Sequence, residues 1–188
     1  MYKGGDFNFK LIGNFNIESL KNKVLSLTDY DWNEYSKRQD SQSEMYKNVR
    51  SPHEETRTIP LLFNERFGDI PDKWRLYSLF EDEINQIKEY FKNYYGGGNS
   101  PRIIITKLFA ERNILPHVDT GEQLLKCKRH HIPIVTHPMV MFYVGGEQIN
   151  MLEGDVWEIN NSKLHQVKNY SNIDRIHIII DWDLNLEY

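Results

Sequence analysis

Residues 154–182, GDVWEINNSKLHQVKNYSNIDRIHIIIDW, decide the fold. They divide into three short runs, DVWEIN, LHQVKNY and RIHIIIDW, each rich in β-branched or aromatic residues and set apart by Asn, Ser and Asp. Runs of this length, ended by turn-forming residues, read as strands. Upstream, beyond Pro101, RIIITKLFA, RHHIPIVT, MVMFYVGG and EQINML have the same texture. The spacing predicts an antiparallel barrel or sandwich over the carboxy-terminal half, rather than alternating βαβ units. GGE at 145–147 reads as a hairpin turn, because it lacks both the pattern and the following helix of a phosphate-binding loop.

The first half has a different texture. Ile17, Leu20, Val24 and Leu27 fall at helical spacing and predict an amphipathic helix over 17–28. Leu79, Ile84, Ile87, Tyr90 and Phe91 form the apolar stripe of a second helix over 79–95, which GGGNSP ends. TRTIPLLF, residues 56–63, predicts a strand whose Pro60 places it at an edge or a bulge. The polar segment 31–57 reads as a long loop or a covering flap.

The chain has 188 residues, enough for one domain with a real core and hardly enough for two. With 39% hydrophobic and 27% charged residues it is not disordered throughout. A net charge of −4, with no long basic block, gives nucleic acid no electrostatic purchase. The single cysteine, Cys127, cannot close an internal disulfide, which fits a reducing compartment. MYKGGDFNFK lacks the apolar stretch of a signal peptide, and no apolar run approaches membrane-spanning length. A soluble, cytoplasmic protein with no membrane or nucleic-acid partner is expected.

Within ILPHVDTGEQ, residues 114–123, His117 and Asp119 stand two apart after an apolar run. Alternation along a strand sends both side chains to one face. A bound metal explains such a pair, and so does a plain hydrogen bond between them. His165, in NNSKLHQVKNY, adds a histidine from another strand. Two histidines and one carboxylate are the ligand set of non-haem iron(II) oxygenases, which leave the opposite face of an octahedral ion open. A barrel can bring such strands together at its mouth. Arg175 opens the otherwise apolar RIHIIIDW, with His177 on the same face. A guanidinium there must be paired, because an unpaired buried charge is costly. Its partner can be structural, Asp174 or Asp181, or a ligand carboxylate gripped by two parallel hydrogen bonds. Arg129 and His131 share a face by the same alternation, which sends His130 outward. His131 reads equally well as a satisfied core histidine. His137, beside Pro138, and His53, in its polar loop, read as surface residues.

His117-x-Asp119, the distal His165 and Arg175 ten residues beyond it resemble the iron(II)/2-oxoglutarate-dependent dioxygenases, which have a double-stranded β-helix (jelly-roll) fold. More narrowly, PHVDTG, KRHHIPIVT and GDVWEINNSKLHQVKNYSNIDRIHIIIDW look like the aspartyl/asparaginyl β-hydroxylase-like branch, which includes bacterial free-proline hydroxylases. The resemblance spans about residues 100–183, and TRTIPLLF more weakly. It implies a mainly β protein with flanking helices and a cupin-like barrel. It implies iron(II) held by His117, Asp119 and His165, and 2-oxoglutarate gripped at its distal carboxylate by Arg175, with Arg129 and His131 nearby. The implied reaction is hydroxylation of a C–H bond of an amino acid, free or within a peptide, by dioxygen, as 2-oxoglutarate becomes succinate. Some vertebrate members of the branch lack the carboxylate ligand, so Asp119 aligns this sequence with the bacterial and free amino-acid members. Asp119 also argues against halogenation, since related halogenases carry a small residue there. The alternative is a non-catalytic cupin-like module binding a metal or an acid, which would not require Arg175 and Arg129 on inward faces. In a single domain, residues 101–183 would carry the site, and 1–100 would supply helical support and substrate-side segments with one early strand. Arg50 and Arg57 are candidates for gripping a substrate carboxylate, although a surface role suits either.

Overall fold

The computed structural model describes residues 5–35, 51–63 and 70–187. In chain order the strands are β1 (Phe9–Asn14), β2 (Thr56–Phe63), β3 (Asp72–Lys73), β4 (Asn99–Leu108), β5 (Asn113–His117), β6 (Lys128–Val135), β7 (Val140–Val144), β8 (Glu147–Ile149), β9 (Asp155–Ile159), β10 (His165–Asn169) and β11 (Arg175–Asp183). The helices are α1 (Glu18–Leu25), α2 (Asp29–Asn33), α3 (Glu81–Tyr95) and α4 (Glu122–Lys126).

The strands pair antiparallel in two sheets, β1-β9-β6-β11-β4-β2-β3 and β5-β10-β7-β8. This is the jelly-roll expected from the sequence, although the sheets are not closed into one hydrogen-bonded cylinder. β11, the most apolar run, lies at the centre of the larger sheet, where both faces are covered. Ile176, Ile178, Ile180 and Trp182 point one way and are buried in the cluster that α1 and α3 complete with Leu20, Val24, Ile84, Ile87 and Phe91. Each such apolar side chain contributes ~1.5–3 kcal/mol against the entropy of ordering it. The register aligns Ile105, Ile178 and Ile132 across three strands. Arg175, Ile179 and Asp181 alternate to the opposite face, toward the smaller sheet. A second apolar cluster, with Leu108, Val140, Phe142, Val144 and Val167, fills part of the space between the sheets.

Local chemistry accounts for the differences from the sequence reading. The helix expected over 17–28 stops at Leu25, because Thr28 and Asp31 form a capping box that starts α2. Leu79 lies in a short 3-10 turn and is 40% exposed, while Phe80 is fully buried in its place. Gly96, in the left-handed conformation, ends α3. Pro60 lies at a register shift in β2, as its missing N–H requires. Gly145 and Gly146 both have positive φ, which a two-residue hairpin between β7 and β8 favours. β1, α2 and α4 are short elements that the sequence did not announce. Of the proposed flap, residues 36–50 lie outside the described residues, and Arg50 with them. Among the described residues no helix is long and apolar enough to cross a membrane.

His130 departs from expectation in an instructive way. It points away from the face of Arg129 and His131, but that direction leads under α3 and not into solvent. It is fully buried, 4.5 Å from the Phe91 ring, with its Nε2 2.7 Å from the Tyr95 hydroxyl. Burial pushes its pKa down to about 4, so it is neutral.

Phe91 is the hinge of this layer, stacked on Tyr95 and Trp182 as well. Phe91→Ala should destabilise the fold by ~3–5 kcal/mol through lost burial and a residual cavity. Urea unfolding followed by tryptophan fluorescence would measure it; a change below ~1 kcal/mol would mean that α3 contributes little to the core.

Candidate active site

β5 ends at His117, and His165 opens β10 directly opposite. A register shift between His165 and Val167 accompanies this pairing, as bulges do where a side chain is re-aimed. The two rings lie 4.2 Å apart. Each imidazole is fixed from behind. Nδ1 of His117 is 2.8 Å from the Leu115 carbonyl, and Nδ1 of His165 is 2.9 Å from the Lys163 carbonyl. A carbonyl only accepts, so Nδ1 carries a proton and Nε2 is the nitrogen turned to the cavity. Burial and the neighbouring His117 and Arg129 outweigh the pull of Asp119 and lower the His165 pKa, which keeps this ring neutral.

Asp119 lies beyond the end of β5, so strand alternation is not what aligns it with His117. Its N–H donates to the Asn161 carbonyl at 3.2 Å, which anchors the turn. Oδ1 stands 3.7 Å from His117 Nε2 and 3.8 Å from His165 Nε2. These separations are too long for hydrogen bonds, which removes the simple paired reading. The three donor atoms lie within 4.8 Å of one another. Oδ2 is held instead by Arg129 Nη1 and by Asn161 Nδ2 at 3.3 Å. The carboxylate is thus divided, one oxygen for the protein and one for the open space between the histidines. Burial opposes its charge, but Arg129, His165 and His117 outweigh that cost and hold the carboxyl below its ordinary range.

Arg129 in turn is fixed by Asp181 on β11, through Nε at 2.8 Å and Nη2 at 2.9 Å. This is a buried two-pronged pair, and the guanidinium bridges two carboxylates. Arg129 and His131 do share a face, as expected, and both line the cavity.

A cavity of about 690 Å³ opens from the His117–Asp119–His165 cluster and runs between the sheets. Arg175 lines it and is 1% exposed. Asp174 faces Lys107 at 3.8 Å and Asp181 faces Arg129, so neither suspected partner pairs with Arg175. Its Nη2 donates to His177 Nδ1 at 2.6 Å, and its buried Nε has no partner. Burial lowers its pKa, yet a value of about 9 leaves it charged at neutral pH. Burial, and then the positive charge of Arg175, push His131 and His177 well below the ordinary histidine range, so both are neutral. The site therefore contains a buried cation with no carboxylate among the described residues.

Several participants were not legible in the sequence. Asn161 sits in a stretch that reads only as a turn, and Thr106 lines the cavity from β4. His53 is exposed, as expected, and its ring also stands edge-on to His117 at 4.7 Å, where it lines the cavity. Arg57 also lines the cavity, but its Nε donates to Asn33 at 3.3 Å and its Nη1 to the Thr56 carbonyl at 2.9 Å. His137 remains in a turn, where its Nδ1 accepts from the Met139 N–H.

Asp181→Asn should cost ~3–5 kcal/mol, because it removes the two-pronged charged partner of a buried guanidinium and leaves it only Asp119. Asp174→Asn removes only a half-exposed pair and should cost under ~1 kcal/mol. Urea midpoints for both variants would check the contrast, and equal costs would refute it.

The fold has known relatives. AviO1 from Streptomyces viridochromogenes Tue57 superposes with a TM-score of 0.54 at 10% identity, over 96% of this chain and 91% of that one. An oxidoreductase of the 2OG-Fe(II) oxygenase family from Burkholderia pseudomallei gives 0.53 at 13% identity, over 78% and 77%. A prolyl-4-hydroxylase from Pseudomonas putida gives 0.50 at 8% identity, over 96% and 95%. At these identities the likeness is one of fold. No curated protein matches the sequence. The aspartyl/asparaginyl beta-hydroxylase family model matches residues 16–183, nearly the whole chain, and the chain belongs to that family of hydroxylases.

Proposed function

We propose that this chain is an iron(II)- and 2-oxoglutarate-dependent hydroxylase acting on a C–H bond of an amino acid, free or within a peptide. The observation that carries the reading is the pairing, in one cavity, of three convergent donor atoms with a buried guanidinium that has no carboxylate partner among the described residues.

The residues fit both groups. Two imidazoles that turn Nε2 to the cavity and one carboxylate oxygen are the donor set that suits iron(II) with open coordination positions. His117, Asp119 and His165 would hold the ion. Arg175, with an unsatisfied Nε, would take the distal carboxylate of 2-oxoglutarate, and the Thr106 hydroxyl lines the same cavity. When bound, the two groups supply dioxygen activation: one oxygen atom enters the substrate C–H bond, and the other enters succinate as carbon dioxide leaves.

The chain's own part is orientation and exclusion. Asn161 and Arg129 keep Asp119 ionised and turned so that Oδ1 faces the histidines. The Leu115 and Lys163 carbonyls fix the two tautomers. The neutrality of His131 and His177 leaves Arg175, among the described residues, as the single positive charge at its end of the cavity, which suits one carboxylate. Phe142 places its ring 5.8 Å from the Arg175 guanidinium and helps keep water from it. Arg129 and His131 take the cosubstrate-side positions, Arg129 through its grip on Asp119.

Anaerobic iron(II) protein titrated with 2-oxoglutarate should develop the visible charge-transfer band of a chelated 2-oxo acid, and wild type without a band would overturn the reading. His165→Ala should bind no iron at concentrations that saturate wild type. Arg175→Ala should keep iron but need roughly 30-fold or more 2-oxoglutarate, since truncating one partner of a buried charge pair costs ~2–5 kcal/mol. Arg175→Lys should recover only part, because an ammonium cannot make two parallel hydrogen bonds.

A further inference from the structure

A second guanidinium in the cavity is left over from the charge pairing. Arg102, on β4, lines the cavity beside Ile104 and Thr106. It flanks Asp181 on the side away from Arg129, because the register sets Arg102, Asp181 and Arg129 side by side across three strands. Arg129 already occupies both oxygens of Asp181. Arg102 is left with a contact of 3.8 Å to one of them, too long for a hydrogen bond, and its buried Nε has no partner.

The wall around it is aromatic. The guanidinium lies 5.4 Å from the Phe63 ring, Phe63 packs edge-on to Trp74 at 6.2 Å, and Trp74 packs on Tyr35 at 5.2 Å. All of these residues line the same cavity. Among the described residues, the guanidiniums of Arg102, Arg129 and Arg175 line this part of the cavity, Arg102 with its side chain 23% exposed, and the carboxylates beside them are Asp119, on the cavity wall, and Asp181, buried behind it. Iron(II) and the 2-oxoglutarate dianion would cancel one another, so among these described groups the loaded site keeps one excess positive charge. A partly desolvated cation whose nearest carboxylate is already engaged is unfavourable, and a ligand that completes the site should supply one negative charge.

We propose that Arg102 is the substrate anchor, and that the substrate is a small free amino acid or related acid with one carboxylate on Arg102 and an apolar body against Phe63, Trp74 and Ile104. The inference rests on the function proposed above. The size follows from the sheet: two strand spacings of ~4.8 Å put the Arg102 and Arg129 backbones only ~10 Å apart. Since Arg129 holds Asp119, a carboxylate on Arg102 and a C–H bond at the donor cluster must belong to a short molecule. Arg57, the other candidate among the described residues, has donors engaged elsewhere.

The test is calorimetric titration of the anaerobic protein, loaded with iron(II) and 2-oxoglutarate, with free L-amino acids that include proline, valine, leucine and phenylalanine, and with the carboxamide of each. At least one free acid should bind, and its carboxamide should bind roughly 30-fold or more weakly. Arg102→Gln should abolish that difference by weakening the acid alone, and Arg102→Lys should restore part of it. The 2-oxoglutarate charge-transfer band reports separately on the cosubstrate site and on the integrity of each variant, and Arg102→Gln should develop it as wild type does. A wild type without the band fails the oxygenase reading, whereas a wild type with the band whose acids and amides bind alike fails this inference alone. No binding by any free acid, or undiminished acid binding by Arg102→Gln, would also overturn it.

Discussion

Arg129 joins the centre of the larger sheet to the cluster at the cavity mouth. Its guanidinium receives Asp181 from β11 on one side and Asp119 from the turn after β5 on the other. Asp181 is fully buried, and Asp119 and Arg129 nearly so, so none of the three charges is tolerable alone. Removing any one unbalances the charge of the others in a medium that solvates charge poorly. The consequence reaches beyond stability. A buried carboxylate with no counter-charge would protonate, and a protonated Asp119 would be a poor metal ligand. The pair that costs desolvation energy therefore also keeps a ligand oxygen ionised and aimed.

The same economy of partners recurs along the cavity. Asp119 gives one oxygen to Arg129 and Asn161 and keeps the other toward the histidines. His117 and His165 each spend Nδ1 on a backbone carbonyl and keep Nε2. Asp181 spends both oxygens on Arg129, which leaves Arg102 and Arg175 unsatisfied on β4 and β11. A protein that only needed stability would pair these cations or replace them with apolar side chains. Their persistence marks the places where charge is to be supplied by something that binds.

The opposite face of the larger sheet obeys a different rule. Residues that alternate with the cavity-lining set pack on α1 and α3 as a mainly apolar layer, and the imidazole there, His130, is kept neutral. β11 thus carries a membrane-like run of isoleucines and a line of charged groups in one nine-residue strand, separated only by the period of two. A one-residue slip of register would bury the charges among the helices and turn the isoleucines into the cavity.

The sequence by itself determined the strands after Pro101, the helix before GGGNSP and the bulge at Pro60, because alternation and turn chemistry are local properties, and through its resemblance to a family it singled out His117, Asp119, His165, Arg129, His131 and Arg175 as candidates. It also contained the family pattern. Tertiary structure alone decided who pairs with whom. That Asp181 belongs to Arg129 and not to Arg175, that Asn161 reaches the second oxygen of Asp119, that His130 faces Tyr95, that His53 stands against His117, and that Arg102 is left without a close partner all depend on strands far apart in sequence lying side by side in one register. The physical reason is that a hydrogen bond or ion pair is a matter of a few tenths of an ångström across the sheet, and no property of a residue's chain neighbours encodes that distance.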